Sequence, residues 1–121
     1  AGDVIEVDGK TIGLWTSSNQ QGKIAGRNMS GGTLEYREPR PYASLNLGNI
    51  KLFSMGNINE YDFIYEYIDG EIYHKLFVTN DKLTAAILFG DTKDMGKVKT
   101  GIENGIDIEE YLEDKLYYKK I

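Results

Sequence analysis

The chain has 121 residues, 40% of them hydrophobic, with a formal net charge of −5 and no cysteine. That length can bury one real core but is short for two independent domains. The acidic balance argues against a nucleic-acid surface, and the missing thiols exclude disulfides, thiolate zinc, Fe–S ligation and a redox CxxC pair. No apolar run approaches the roughly 20 residues of a membrane-spanning helix and no signal-like segment appears, so a soluble, cytoplasmic protein is expected.

In chain order, Asp3 to Val7 is β-prone, and Asp8-Gly9 is a turn signal before Lys10 to Ile12. This predicts a hairpin that delivers Leu14 and Trp15 to the start of a helix. Thr16, Ser17 or Ser18 can cap it, with Gln20 or Gln21 three residues on as in a capping box, and Gly31-Gly32 ends it. Tyr36-Arg37-Glu38-Pro39-Arg40-Pro41 cannot continue a helix, because proline lacks an N–H and restricts the residue before it. Residues 33–41 are therefore read as a linker between a first segment, 1–32, and a second region, 42–121.

The second region predicts an α+β fold, an antiparallel meander packed with C-terminal helices. Asn49 to Met55 is one candidate strand and Tyr61 to Ile68 another, with Tyr61, Phe63, Tyr65 and Tyr67 on one face. A turn at Asp69-Gly70 sets Tyr67 opposite Ile72, Tyr65 opposite His74 and Phe63 opposite Leu76. A turn at Asn80-Asp81 sets Val78 opposite Leu83 and His74 opposite Ile87. The expected core face is then Phe63, Tyr65, Leu76, Val78, Leu83, Ala85 and Ile87, and a one-residue slip would expose the whole set. After Phe89 the period becomes helical: Asp91 and Thr92 offer a cap, Met95, Val98 and Ile102 form a stripe, and Gly105 stops it. Asp107 can cap a last helix carrying Ile108, Tyr111, Leu112 and Leu116 on one side.

Candidate chemistry concentrates in the first helix. Gly22, Ala25, Gly26 and Met29 share a face, and small residues there let a backbone approach another surface closely, whether a packed sheet or a ligand. The free N–H groups at its start suit an electron-rich ligand group. Elsewhere the residues point to structure. His74, the single histidine, falls on the core face and reads as a hydrogen-bonded structural group. The acids and lysines of 109–120 read as a solvated helical face. Asp107, Glu109 and Glu110 lack the glycine and alternation of a calcium loop, so no metal site is expected. The nine tyrosines alternate as in half-buried strands and lack the basic neighbours of a stacking platform.

Gly2-Asp3, Gly13-Leu14-Trp15, Gln21-Gly22, Ala25-Gly26-x-Asn28-Met29 and Gly31 resemble the C-terminal part of NADH:rubredoxin reductases and of related flavoprotein subunits of assimilatory nitrite and nitrate reductases. Tyr73-x-Lys75-Leu76 and Ala86-Ile87-Leu88-Phe89-Gly90-Asp91-Thr92 resemble that family's small C-terminal domain. The resemblance implies that residues 1–32 are the last hairpin and helix of an FAD-binding domain. Within it, Gly2-Asp3 would meet the ribityl chain, and Leu14 and Trp15 would approach the flavin ring. It implies FAD as cofactor, NAD(P)H as electron donor and a rubredoxin-like acceptor protein. No Gly-x-Gly-x-x-Gly loop is present, so the chain reads as the C-terminal piece of a larger enzyme, carrying no catalytic residue of its own and needing the rest of the parent flavoprotein. A homodimer is a further expectation. The competing hypothesis is a non-catalytic interaction or dimerisation module.

Overall fold

A computed structural model describes residues 1–38 and 40–121; Pro39, one of the two helix-stopping prolines, lies outside the described residues. The chain divides into two compact units, Ala1–Pro41 and Tyr42–Ile121.

In the first unit the expected hairpin shrinks to one bridge, Val7 with Lys10, closed by Asp8 and Gly9 at φ of 50° and 77°. Both central residues are left-handed, as a tight type I′ turn requires. Helix α1 runs Trp15–Met29. None of the expected hydroxyls caps it: the N-cap is Leu14, in an extended conformation without a side-chain bond. The C-terminal expectation holds. Gly31, at φ 96°, lets the Gly31 and Gly32 N–H groups fold back to the Asn28 and Arg27 carbonyls. Asn28 then pins the exit, its Nδ2 donating to Leu34 O and its Oδ1 accepting from Leu34 N–H.

The second unit is α+β, as its pattern predicts. Its strands are β1 (Tyr42–Leu47), β2 (Ile50–Met55), β3 (Phe63–Asp69), β4 (Ile72–Thr79), β5 (Lys82–Phe89) and β6 (Lys119–Lys120). They form one antiparallel sheet ordered β1-β2-β5-β4-β3-β6. Helices α2 (Met95–Asn104) and α3 (Ile108–Leu112) cover one face. Phe53, Met55, Leu76, Val78, Leu83, Ala86 and Leu88 from the sheet meet Val98, Ile102, Ile108, Tyr111 and Tyr118 in one core.

Two registers differ from expectation. The first turn is Gly70-Glu71, not Asp69-Gly70, because only Gly70 takes positive φ, which suits a type II′ turn. Asp69 stays in its strand opposite Ile72, and Tyr67 pairs with His74, Tyr65 with Leu76 and Phe63 with Val78. The shift is even, so every side chain keeps its face, and Glu66 comes opposite Lys75 at 3.8 Å. The second turn, Asn80-Asp81, is as expected, and Val78 faces Leu83. Beyond it the ladder slips by one at Phe77/Val78, where Thr84 is the extra residue. Its Oγ1 donates to the Phe77 carbonyl at 3.3 Å.

That bulge overturns part of the predicted core face. His74 faces Leu88 rather than Ile87, Ala86 and Leu88 enter the core, and Ala85 and Ile87 turn to the opposite face. Gly56, at φ 87°, sits against the bulge: a Cβ there would lie 2.3 Å from the Thr84 carbonyl oxygen. Tyr61 precedes β3 and sets its ring edge-on to Phe77 at 5.4 Å, on the face away from the helices.

At the C-terminal side, Gly105 stops α2 in a left-handed conformation as expected, but Asp94, not Asp91 or Thr92, holds the N-cap position. Asp91 Oδ1 accepts from the Lys93 N–H instead, which holds its carboxyl below the usual range. Asp107 precedes α3 without a side-chain cap bond, and Leu116 is 93% exposed because the helix ends at Leu112.

Candidate functional site

Sequence reasoning places Gly2, Asp3, Leu14 and Trp15 at the site, and the first unit brings Gly2, Asp3 and the start of α1 together by polar contacts. Gln21, buried on α1, accepts from the Gly2 N–H through Oε1 at 2.7 Å. Ser18, one turn into α1, donates its hydroxyl to Asp3 Oδ1 in a short bond, leaving Oδ2 out of that contact. Ser17, the other buried polar residue of the helix, donates to Glu38 Oε1 at 2.7 Å. The Tyr36 hydroxyl donates to the second Glu38 oxygen. Burial first, and then this carboxylate, push the Tyr36 hydroxyl above its ordinary range. The serines and Gln21 read as capping residues in the sequence are thus spent on tertiary anchoring.

The consequence is a helix start without a side-chain cap and without an acid in its first turn. Its N–H groups carry the positive end of the helix dipole. Leu14 is half-buried beside them, and Trp15 is 78% exposed. The small-residue face is open as well. A Cβ at Gly22 or Gly26 would meet nothing within 4 Å, and Met29 is 89% exposed. The residues fit the flavin end of FAD: a carboxylate with an oxygen to spare, bare helical N–H donors and exposed apolar side chains. The pyrophosphate and adenine have no counterpart in this unit, whose sequence holds no phosphate-cradling glycine loop.

The second unit holds its polar groups for structure. His74 lies on the core face, 7% exposed. Its Nε2 is 2.6 Å from the Asp91 carbonyl oxygen, so Nε2–H donates there and Nδ1 accepts from the Tyr118 hydroxyl at 2.9 Å. Tyr67 and Tyr118 pack against its ring. Burial pushes the Tyr118 and Tyr111 hydroxyls far above their ordinary value. Tyr111 Oη is buried without a hydrogen-bond partner. Removing an orphaned hydroxyl relieves its desolvation penalty, so Tyr111→Phe is expected to be neutral or to stabilise by up to about 1 kcal/mol. Urea unfolding checks this, and a loss above about 1 kcal/mol would reveal a partner for that hydroxyl.

A groove of about 900 Å3 beside α2 and α3 is lined by residues of both charge signs, among them Lys97, Glu110 and Lys115, and by none of the predicted site residues. No group of three or more metal-ligating side chains occurs among the described residues. No described helix is long and apolar enough to cross a membrane.

Comparison with known proteins supplies the family. The chain is 31% identical over 105 residues to an NADH-rubredoxin oxidoreductase of Clostridium acetobutylicum, covering 85% of this chain and 28% of that protein. It is 32% identical over 113 residues to an assimilatory nitrate reductase electron transfer subunit of Bacillus subtilis, covering 88% and 14%. The crystal structure of NADH:rubredoxin oxidoreductase from Clostridium acetobutylicum matches with a TM-score of 0.75 at 28% identity, over 93% of this chain and 32% of that one. The chain thus spans less than a third of each of these relatives. Residues 41–106, more than half of the chain, match the rubredoxin NAD+ reductase C-terminal domain, and the chain belongs to that family.

Proposed function

We propose that the chain is the C-terminal portion of an FAD-dependent NAD(P)H oxidoreductase that delivers electrons to an acceptor protein, such as rubredoxin or a nitrite or nitrate reductase system. The rest of the parent flavoprotein is then its first partner, and the cytoplasm its compartment. The observation that carries the reading is the placement of Asp3, tied through Ser18 to the first turn of a helix whose N-terminus is bare. The relatives, one named for NADH and rubredoxin and one for electron transfer, support it.

Bound FAD would supply hydride acceptance from NAD(P)H and release of single electrons. This chain's part is to bind and orient. Gly2 is fixed by Gln21, Asp3 offers Oδ2 to a ribityl hydroxyl, and the α1 N–H groups favour negative charge on the flavin pyrimidine edge. Leu14 and Trp15 would shield the ring from water.

One carboxylate hydrogen bond contributes about 1.5–3 kcal/mol, against the roughly 8 kcal/mol of micromolar affinity. The 121-residue chain is therefore expected to bind FAD no tighter than millimolar and not to oxidise NADH. In the parent enzyme, Asp3→Ala is expected to weaken FAD retention about tenfold or more, equivalent to 1.4 kcal/mol. Flavin absorbance after dialysis reads both. Stoichiometric FAD binding by the isolated chain would make it a complete flavin site rather than a fragment of one, and full occupancy of the Asp3→Ala parent would remove Asp3 from the cofactor site.

A further inference from the structure

The sheet has two unlike edges. On one side β3 is closed by β6, two consecutive lysines, and by Ile121 N–H donating to the Ile64 carbonyl. Lys120 lies over the Phe63 ring at 3.6 Å. Short charged strands of this kind discourage further pairing. On the other side β1, Tyr-Ala-Ser-Leu-Asn-Leu, has six residues without a charge, a proline or a bulge, and is exposed from Ala43 to Leu47.

The hairpin loop Gly48-Asn49 fixes which backbone groups are open. Leu47 and Ile50 close a two-residue loop and form a hydrogen-bonded pair, so Leu45 and Ala43 also bond to β2. By alternation Tyr42, Ser44 and Asn46 turn their N–H and C=O groups outward. On the helix-free face, Leu45 heads a row that runs through Leu52, Phe89 and Tyr73 to Ile68 across five strands. Leu45, Phe89 and Ile68 of this row are exposed, and so are Leu47 and Ile50 beside it.

We propose that β1 pairs antiparallel with β1 of a second copy, about a two-fold axis through Leu45 and perpendicular to the sheet. In that register Ser44 faces Asn46 of the second copy and the reverse, each pair exchanging two backbone hydrogen bonds. Leu45 faces itself, and Ala43 faces Leu47. Polar residues meet polar on the helix side, and apolar residues meet apolar on the open side. No like charges oppose, because β1 carries none. The two apolar rows join at the axis into one ladder of ten residues across a twelve-stranded sheet. Paired six-residue strands bury less than the roughly 1,600 Å2 of a standard interface, so the association lies in the micromolar range or weaker. The pairing needs no cofactor, so it stands apart from the flavoprotein reading.

Sedimentation velocity of the 121-residue chain from about 10 to 500 micromolar tests it, a span that brackets such affinities. The wild type is expected to shift from monomer to dimer. Leu45→Lys and Leu45→Glu, both exposed and remote from the core, are each expected to weaken association at least tenfold, and an equimolar mixture of the two to restore it. Ile68→Lys, at the far end of the same row, is expected to leave the dimer unchanged. A wild type that stays monomeric throughout overturns the proposal and leaves the edge to a strand from another protein. Association lost in Ile68→Lys but kept in Leu45→Lys overturns it in favour of face-to-face stacking.

Discussion

Leu88→Ala is expected to destabilise the Tyr42–Ile121 unit by about 2–5 kcal/mol, the range for emptying a fully buried leucine site. Ile87→Ala, one residue away and a similar loss of volume, is expected to lose less than about 1.5 kcal/mol, because its half-exposed side chain has already left the core. Leu88 is wholly inaccessible and packs with Phe53, Leu76 and Val98 in the core between sheet and helices. Ile87 lies on the opposite face, opposite Lys75 and Ser54. The contrast tests the Thr84 bulge directly, since a bulge-free register would exchange the two residues' roles. Urea unfolding of both variants decides it, and equal losses would place the slip elsewhere.

The same bulge marks the limit of what the sequence discloses. Alternation over Leu83–Phe89 favours the wrong face: Leu83, Ala85, Ile87 and Phe89 are all apolar, whereas Ala86 and Leu88 share their face with Thr84. Nothing in a one-strand pattern says that a residue is skipped. The signal that was present is Thr84, whose hydroxyl can satisfy a carbonyl that the ladder abandons. The even-numbered shift at Gly70-Glu71 is harmless to the facing pattern, which is why the expected pairing gives Phe63, Tyr65 and Leu76 the right face with the wrong partners. β1 and β6 escaped for a different reason. β1 alternates Ala43, Leu45 and Leu47 with Ser44 and Asn46 but turns its apolar residues to an exposed face over only five residues, while β6 is two lysines paired to Tyr65 and Glu66.

In the first unit, the serines and glutamine that look like a capping box were legible as hydrogen-bonding groups but not as to their partners. Ser17, Ser18 and Gln21 reach Glu38, Asp3 and Gly2, residues 15 to 21 positions away in the chain. Local spacing carries no information about such pairs. The resemblance of Gly2-Asp3 and Leu14-Trp15 to a flavoprotein terminus pointed to one region, and the Ser18–Asp3 bond is the physical link between its two halves.

Alkaline unfolding should expose the buried tyrosines. Tyr111 and Tyr118 are 5% and 8% exposed, and burial raises both hydroxyls far above the ordinary value of 10.0. A phenol whose folded-state pKa is raised gives up no stability below the unfolded value. As pH climbs beyond 10, the unfolded chain releases that proton and the folded chain does not, so stability falls until the folded pKa is reached. Each such group steepens the loss by about 1.4 kcal/mol per pH unit, and the two together by about 2.7. Tyr36, Tyr67 and Tyr117 are raised in the same direction, mainly by burial, and add to the wild-type slope. They are common to wild type and Tyr118→Phe, so they cancel in the comparison. Tyr118→Phe carries a separate, pH-independent penalty of about 1–3 kcal/mol, because it strips His74 Nδ1 of its donor. Above pH 10, however, its slope should be shallower than wild type by about 1.4 kcal/mol per pH unit. Urea unfolding at half-unit steps between pH 9 and pH 11.5 separates the two effects, the first as an offset and the second as a gradient. An unchanged gradient in Tyr118→Phe would mean that this ring reaches solvent in the native protein, and that the His74–Tyr118 contact does not seal the end of the core.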